Sequence, residues 1–150
     1  MSRLLAIALS VFLSISAGLY NTSASWAVGM SNGSLTNCPA SPNCVVSQGA
    51  DAEHAIEPLT YHVDRNQARE TLIKVLGVIK RTEIVEQTDN YIHATNEIPI
   101  FKFVDDVEFY LPETESVIHV RSASRIGDWD LGVNRRRVEQ IRLALNDLKI

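Results

Sequence analysis

The sequence predicts an α+β fold: an antiparallel sheet of about four to five strands with two helices packed on one face. Three observations carry it. Ala68, Leu72, Val75, Leu76 and Ile79 recur at helical spacing. From Thr82 to Ser124 the apolar period drops to two, the mark of half-buried strands. Val138, Ile141, Leu145 and Leu148 then return to helical spacing. Helices that bracket a run of antiparallel strands bury their stripes on a common sheet face.

In chain order, residues 59–63 form a short strand-like lead. Asp64 is a good helix N-cap, and Gln67 three residues on completes a capping-box pattern, so the first helix begins there. Gly77 weakens its last turn. Residues 83–87, with Ile84 and Val85 feeding the core, and residues 91–97 flank the turn Thr88-Asp89-Asn90 and form a hairpin. Pro99 breaks the pattern. Residues 101–111 make a third strand, with Val107, Phe109 and Leu111 on one face. A turn at 112–115 leads into a fourth strand over 117–124, paired to the third. The last helix covers about 133–148, with Arg135, Arg136 and Arg137 in its first turn. Cations oppose the partial positive charge of a helix N-terminus, and Asp128 and Asp130 just upstream are the natural compensation.

The 150 residues divide into three parts. Arg3 precedes an uncharged run from Leu4 to Leu19 and a small-residue exit, the layout of a signal peptide over residues 1–25, with cleavage after Ser25 or Ala27. Ser10, Ser14 and Ser16 interrupt the run and weigh against a membrane-spanning helix. Residues 26–58 are rich in Ser, Asn, Gly and Pro and read as an extended arm. Residues 59–150 form a single α+β domain. Removing Arg3 leaves 13 bases against 18 acids, which disfavours nucleic acid as a partner. Cys38 and Cys44 follow the cleavage point, and an oxidising compartment makes a disulfide the first reading. A zinc half-site with His54 is the rival, but it lacks a fourth ligand and a common spacing.

Charge is unevenly spread. Residues 117–137 hold five arginines against two aspartates, whereas residues 51–115 hold 14 acids against 6 bases. With Ile92, Ala94, Val107, Phe109, Ile118 and Val120 facing the helices, Tyr91, His93, Tyr110, His119 and Arg121 face away. That second face is either a ligand platform or an ordinary solvated sheet face. Arg121, Arg125 and the helix-start arginines suit a carboxylate or phosphate. The competing reading pairs two of them internally with Asp105, Asp106, Asp128 or Asp130. Ser122, Ser124, His119 and Asp128 invite a hydrolase reading without a Gly-x-Ser-x-Gly elbow. Asp105-Asp106 is a weak calcium signal and more simply a polar or ion-paired site. Phe101, Phe103 and Val104 suit either the core or contact with a membrane or partner.

Three motifs add a resemblance. Cys38-Pro-Ala-Ser-Pro-Asn-Cys44-Val, Phe103-Val-Asp-Asp-Val107, and Arg121-Ser-Ala-Ser-Arg125-x-Gly127-x-x-Asp130-x-Gly132-Val-Asn134-Arg-Arg-Arg137-Val follow one another in the order found in the bacterial and plastid family catalogued as domain of unknown function 1499. The chain resembles that family from about Leu35 to Leu148. The resemblance implies a fold and an exported or membrane-linked setting, and no catalytic residue. The resulting expectation is an exported, non-enzymatic binding or accessory module for a small anionic or amphipathic ligand or an envelope protein. The candidate ligand-binding residues are Arg121, Arg125, Asp128, Arg135, Arg137, His119, Tyr110 and Tyr91. The alternative is a hydrolase-type enzyme on the same sheet face and arginine turn. No cofactor or metal is called for, and the protein is not integral to a membrane once the leader is removed. The compartments that fit are the periplasm, the extracellular space and the thylakoid lumen.

Overall fold

A computed structural model describes residues 28–99 and 101–150. The leader read in residues 1–25 and the start of the arm lie outside them. In the arm, β1 (Met30–Ser31), β2 (Ser34–Leu35) and β3 (Cys44–Val46) precede β4 (Leu59–Thr60). Then come α1 (Arg65–Val78), β5 (Thr82–Gln87), β6 (Tyr91–Glu97), β7 (Val104–Tyr110), β8 (Val117–Ser124) and α2 (Val133–Asp147). The sheet is antiparallel, in the order β3-β8-β7-β6-β5, with β4 also pairing β8. It has six strands, so it is larger than expected. The addition is β3, contributed by the arm: Cys44 lies opposite Ala123 and Val46 opposite Arg121.

Both helices cover the expected face. Ala68, Leu72, Val75 and Leu76 of α1 and Val138, Ile141 and Leu145 of α2 join Ile92, Ala94, Val107, Phe109, Ile118 and Val120 in one core. Each large side chain buried this way contributes about 1.5–3 kcal/mol of transfer free energy. Two stripe residues depart from expectation. Leu148 is exposed and Ile150 is buried in the core, its N–H donating to Leu145 O. Val85 falls where the β5–β6 register shifts between Ile84 and Glu86, so this extra residue turns outward while Ile84 packs on the core.

The helix starts follow local chemistry. Asp64 caps α1, its carboxylate accepting the Gln67 N–H at 3.0 Å. At α2 the cap position is Gly132, which has no side chain to offer. Asp130 supplies the function from two residues upstream. Its Oδ1 accepts the Gly132 N–H and its Oδ2 the Asn134 N–H, each at 2.8 Å. Of the two aspartates expected to compensate the arginines, Asp130 does so at the helix start, while Asp128 is exposed in the loop.

The second sheet face is covered, not open. Asn32 and Gly33 both adopt left-handed backbone (φ 52 and 76) and turn the β1–β2 hairpin. The Cys38–Cys44 disulfide closes the next bend. Leu35 and Val46 then pack with Tyr91, alongside Met30, Cys38, Ala50 and Tyr110.

Candidate functional site

Under the arm, the face read as a platform is a set of closed ion pairs. Arg121 and Glu108 lie opposite each other on β8 and β7, are 1% and 0% exposed, and meet at 2.8 Å. Glu108 also accepts from Tyr91 Oη at 2.8 Å and from the Gly29 N–H at 2.5 Å, which pins the arm. Burial, together with the Glu108 carboxylate beside it, pushes the Tyr91 phenol far above its ordinary pKa. Tyr91 therefore serves Glu108 as a donor. His119 stacks on Tyr110 with ring centroids 6.1 Å apart, and its Nδ1 meets Ser47 Oγ at 3.2 Å.

Along the same face, Asp106 is held by Arg125 through both oxygens, at 2.7 and 2.9 Å, and by His93 Nε2 at 2.8 Å. Burial opposes ionisation of Asp106, but the hydrogen bonds from Arg125 and His93 outweigh it and hold the carboxyl below its usual range. Burial, only partly offset by Glu115, lowers the His119 pKa. Both shifts act in the same direction on folding. Each group binds its proton more weakly when folded, so each contribution is present above the unfolded pKa and is lost as pH falls through the folded one. Urea midpoints should therefore fall first below about pH 6.5, from His119, and again below about pH 4, from Asp106. His119→Gln should flatten the first step and Asp106→Asn the second. A midpoint independent of pH from 7 to 3 would contradict both assignments.

On the helix face, the start of α2 sits on a buried polar hub. Asn134 is fully buried; its Oδ1 accepts from Ser122 Oγ at 2.6 Å and from Arg137 at 2.7 Å. Its Nδ2 donates to Ser124 Oγ at 2.9 Å and to Asn43 O at 3.0 Å. Arg137 continues to Asp105 at 2.5 Å. The serine hydroxyls are thus committed within this network. Strand parity places Ser122 and Ser124 on the opposite sheet face from His119, so no Ser–His pair forms there.

The eight candidate residues accordingly do not converge on one hollow. Arg121, Tyr91, Tyr110 and His119 lie beneath the arm, and Arg125 closes Asp106 at the end of the sheet. Arg137 points into the helix-side hub. Arg135 reaches away to Ala55 O and Glu53 O. Asp128 stays exposed in the loop. The internal pairing weighed against the anion cradle holds for Arg125 with Asp106 and for Arg137 with Asp105.

The concavity lies one step further along. Asp105 pairs with Ser124, and the Arg125 N–H donates to Val104 O, so the chain entering β7 and the chain leaving β8 run side by side. Their loops enclose a hollow of about 330 Å³ lined by Ile98, Phe101, Phe103, Ile126, Trp129, Leu131 and Val133, with Asp105, Ser124, Gly127 and Asp130 completing the wall. Its rim is exposed: Phe101 68%, Phe103 41%, Ile126 60%, Trp129 78% and Leu131 87%. A second hollow of about 280 Å³ shares Ile98 and Val133 with it and is lined by Lys80, Arg136, Arg137 and Gln140. Volumes of this order are at the low end for small-molecule sites, about 300–1,000 Å³, with room for one chain or ring. Phe101 and Phe103 were singled out in the sequence, whereas Trp129, Ile126, Leu131, Lys80 and Gln140 were not.

Among the described residues, no group of His, Cys, Asp and Glu could hold a metal ion. The cysteines of the zinc alternative are joined to each other. Among the described residues, no helix is long and apolar enough to cross a membrane. The class so defined is a small α+β domain whose sheet is closed on one side by two helices and on the other by a disulfide-pinned arm. The model of the family described as protein of unknown function (DUF1499) matches residues 34–145, and the chain belongs to this family. Neither the curated proteins nor the solved structures yield a match.

Proposed function

We propose that the protein is an exported, non-enzymatic binding module for a small anionic amphiphile. The observation that carries this is the adjacency of the two hollows. An apolar one walled by Phe101, Trp129 and Leu131 opens beside a cationic one flanked by Lys80 and Arg136, across the shared Ile98 and Val133. A single acyl chain or aromatic body fills the first, and its carboxylate or phosphate meets the second. Export is supported by the leader pattern and by the disulfide, a bond at home in oxidising compartments. A non-enzymatic role is supported by the state of the nearest titratable groups. Asp105 is bound to Arg137, and Asp130 is spent on the start of α2.

The test uses the full chain carrying Trp26→Phe, so that Trp129 is the only indole. Laurate below its micellar concentration should shift Trp129 emission to the blue and saturate. Lys80→Glu with Arg136→Glu should weaken that binding about tenfold, the scale for reversing two exposed charges. Unshifted emission, or equal affinity for laurate and uncharged dodecanol in parent and variant, would remove the proposal.

A further inference from the structure

The rim of the apolar hollow exposes far more than a ligand pocket requires. Phe101, Phe103, Ile126, Trp129 and Leu131 come from two adjacent loops, and all stand at least 41% exposed. The Phe101 and Phe103 rings stack, with centroids 5.4 Å apart, so this is a formed apolar surface. Leu131 is the extreme case. Its backbone is left-handed (φ 53), a conformation that costs a bulky residue stability, and its side chain is almost wholly in water. The left-handed turn serves the start of α2, where Asp130 accepts the Gly132 and Asn134 N–H groups and Leu131 O accepts from Arg136. It leaves the leucine side chain 87% exposed, which points to a contact outside the chain.

Charge selects the occupant. Lys102 lies between the two phenylalanines at the loop tip, and Arg136 and Lys80 stand beside the adjoining hollow, against the exposed acids Asp128 and Glu97; Arg125 is already neutralised by Asp106. The chain as a whole is net −4. An anionic surface therefore repels most of the molecule and attracts this end. Aromatic and aliphatic side chains ringed by Lys and Arg suit the boundary between lipid headgroups and acyl chains. We infer that this crown docks the protein on an anionic lipid bilayer, with Phe101, Trp129 and Leu131 entering the interface and the cations meeting the headgroups. The inference builds on the proposed binding site, because docking places the mouth of the apolar hollow at the phase where single-chain amphiphiles reside. It gives the exposed outer side of the same wall a second contact, made outside the hollow.

The experiment uses the full chain with Trp26→Phe and vesicles whose acyl chains carry bromine, which quenches an indole only at close range. Vesicles of equal parts phosphatidylglycerol and phosphatidylcholine should quench Trp129. Pure phosphatidylcholine should do so at least several-fold less, and about 1 M salt should suppress the effect by screening. Phe101→Ser with Leu131→Ser should weaken the partitioning about tenfold or more while leaving the far-ultraviolet circular dichroism unchanged. Absence of quenching on anionic vesicles would overturn the inference. So would quenching that the double variant leaves unchanged, since another segment would then hold the protein to the lipid. Self-association that disappears in the double variant, without vesicle quenching, would assign the crown to a second copy and also overturn it. Laurate binding without docking would leave the binding site standing and remove the bilayer alone, whereas docking without laurate binding would do the reverse.

Discussion

Replacing Glu108 with alanine should lower the unfolding free energy by about 3–5 kcal/mol, the usual cost of removing one member of a buried ion pair. The size follows from what is left behind. Arg121 is 1% exposed and loses the Glu108 carboxylate at 2.8 Å. The Tyr91 hydroxyl and the Gly29 N–H lose their acceptor in the same step. Because Gly29 ties the arm to the sheet, amide exchange across β1 and β2 should rise more than exchange in the α1–α2 core. The pair itself need not be worth that much, since burying two charges offsets most of their attraction. The double substitution Glu108→Leu with Arg121→Met should therefore recover a large part of the loss. Equal destabilisation in the single and double variants, followed by urea unfolding, would show that the charges contribute in some other way.

Asn134→Ala should be nearly as damaging, at about 3 kcal/mol or more. A typical unpaired buried polar group costs about 1–3 kcal/mol, and several lose their partner at once. The Ser122 hydroxyl loses its acceptor, Ser124 Oγ and Asn43 O lose a donor, and Arg137 loses one of its contacts. Asn43 also donates to Gly127 O, so the effect should travel from the arm through the helix start to the loop that walls the apolar hollow. Thermal unfolding should report the loss, and laurate affinity should fall with it. A change within about 0.5 kcal/mol, as for an ordinary surface substitution, would contradict the role given to this hub.

Much of the fold was legible in the residues because one face is apolar at a clean period. β8 and the start of α2 fall where the alternation and the return to helical spacing place them, at Val117–Ser124 and from Val133. The inward and outward sets on β6, β7 and β8 are likewise as read. The arm was harder. β3 is three residues long, too short to show a period, and its partner is more than seventy residues away. The Asn32-Gly33 turn was a readable hairpin signal, but only two residues pair on each side of it.

The site was less legible, for a reason of charge. A strand row carrying Asp106, Glu108, His93 and Arg121 looks solvated when each residue is taken alone. The cross-strand register sets Glu108 opposite Arg121 and His93 opposite Glu108, and it brings Asp106 within reach of His93 and Arg125, so the charges satisfy one another and can be covered. The hollow was hidden for another reason. Phe101 and Trp129 belong to loops separated by a whole β-hairpin, and only the Asp105–Ser124 register brings those loops together. Leu131 carried no signal at all, since a left-handed leucine is not foreseeable from its neighbours.

The most direct measurement is a map of backbone amide shifts on titration with laurate. Binding in the paired hollows should move Ile98, Phe103, Trp129, Val133, Arg136 and Gln140 together, with one saturation curve, and leave Tyr91, His119 and Arg121 beneath the arm undisturbed. Shifts centred on those three residues, or no saturable shifts anywhere, would mean that the apolar and cationic hollows are not the place where this protein meets its ligand.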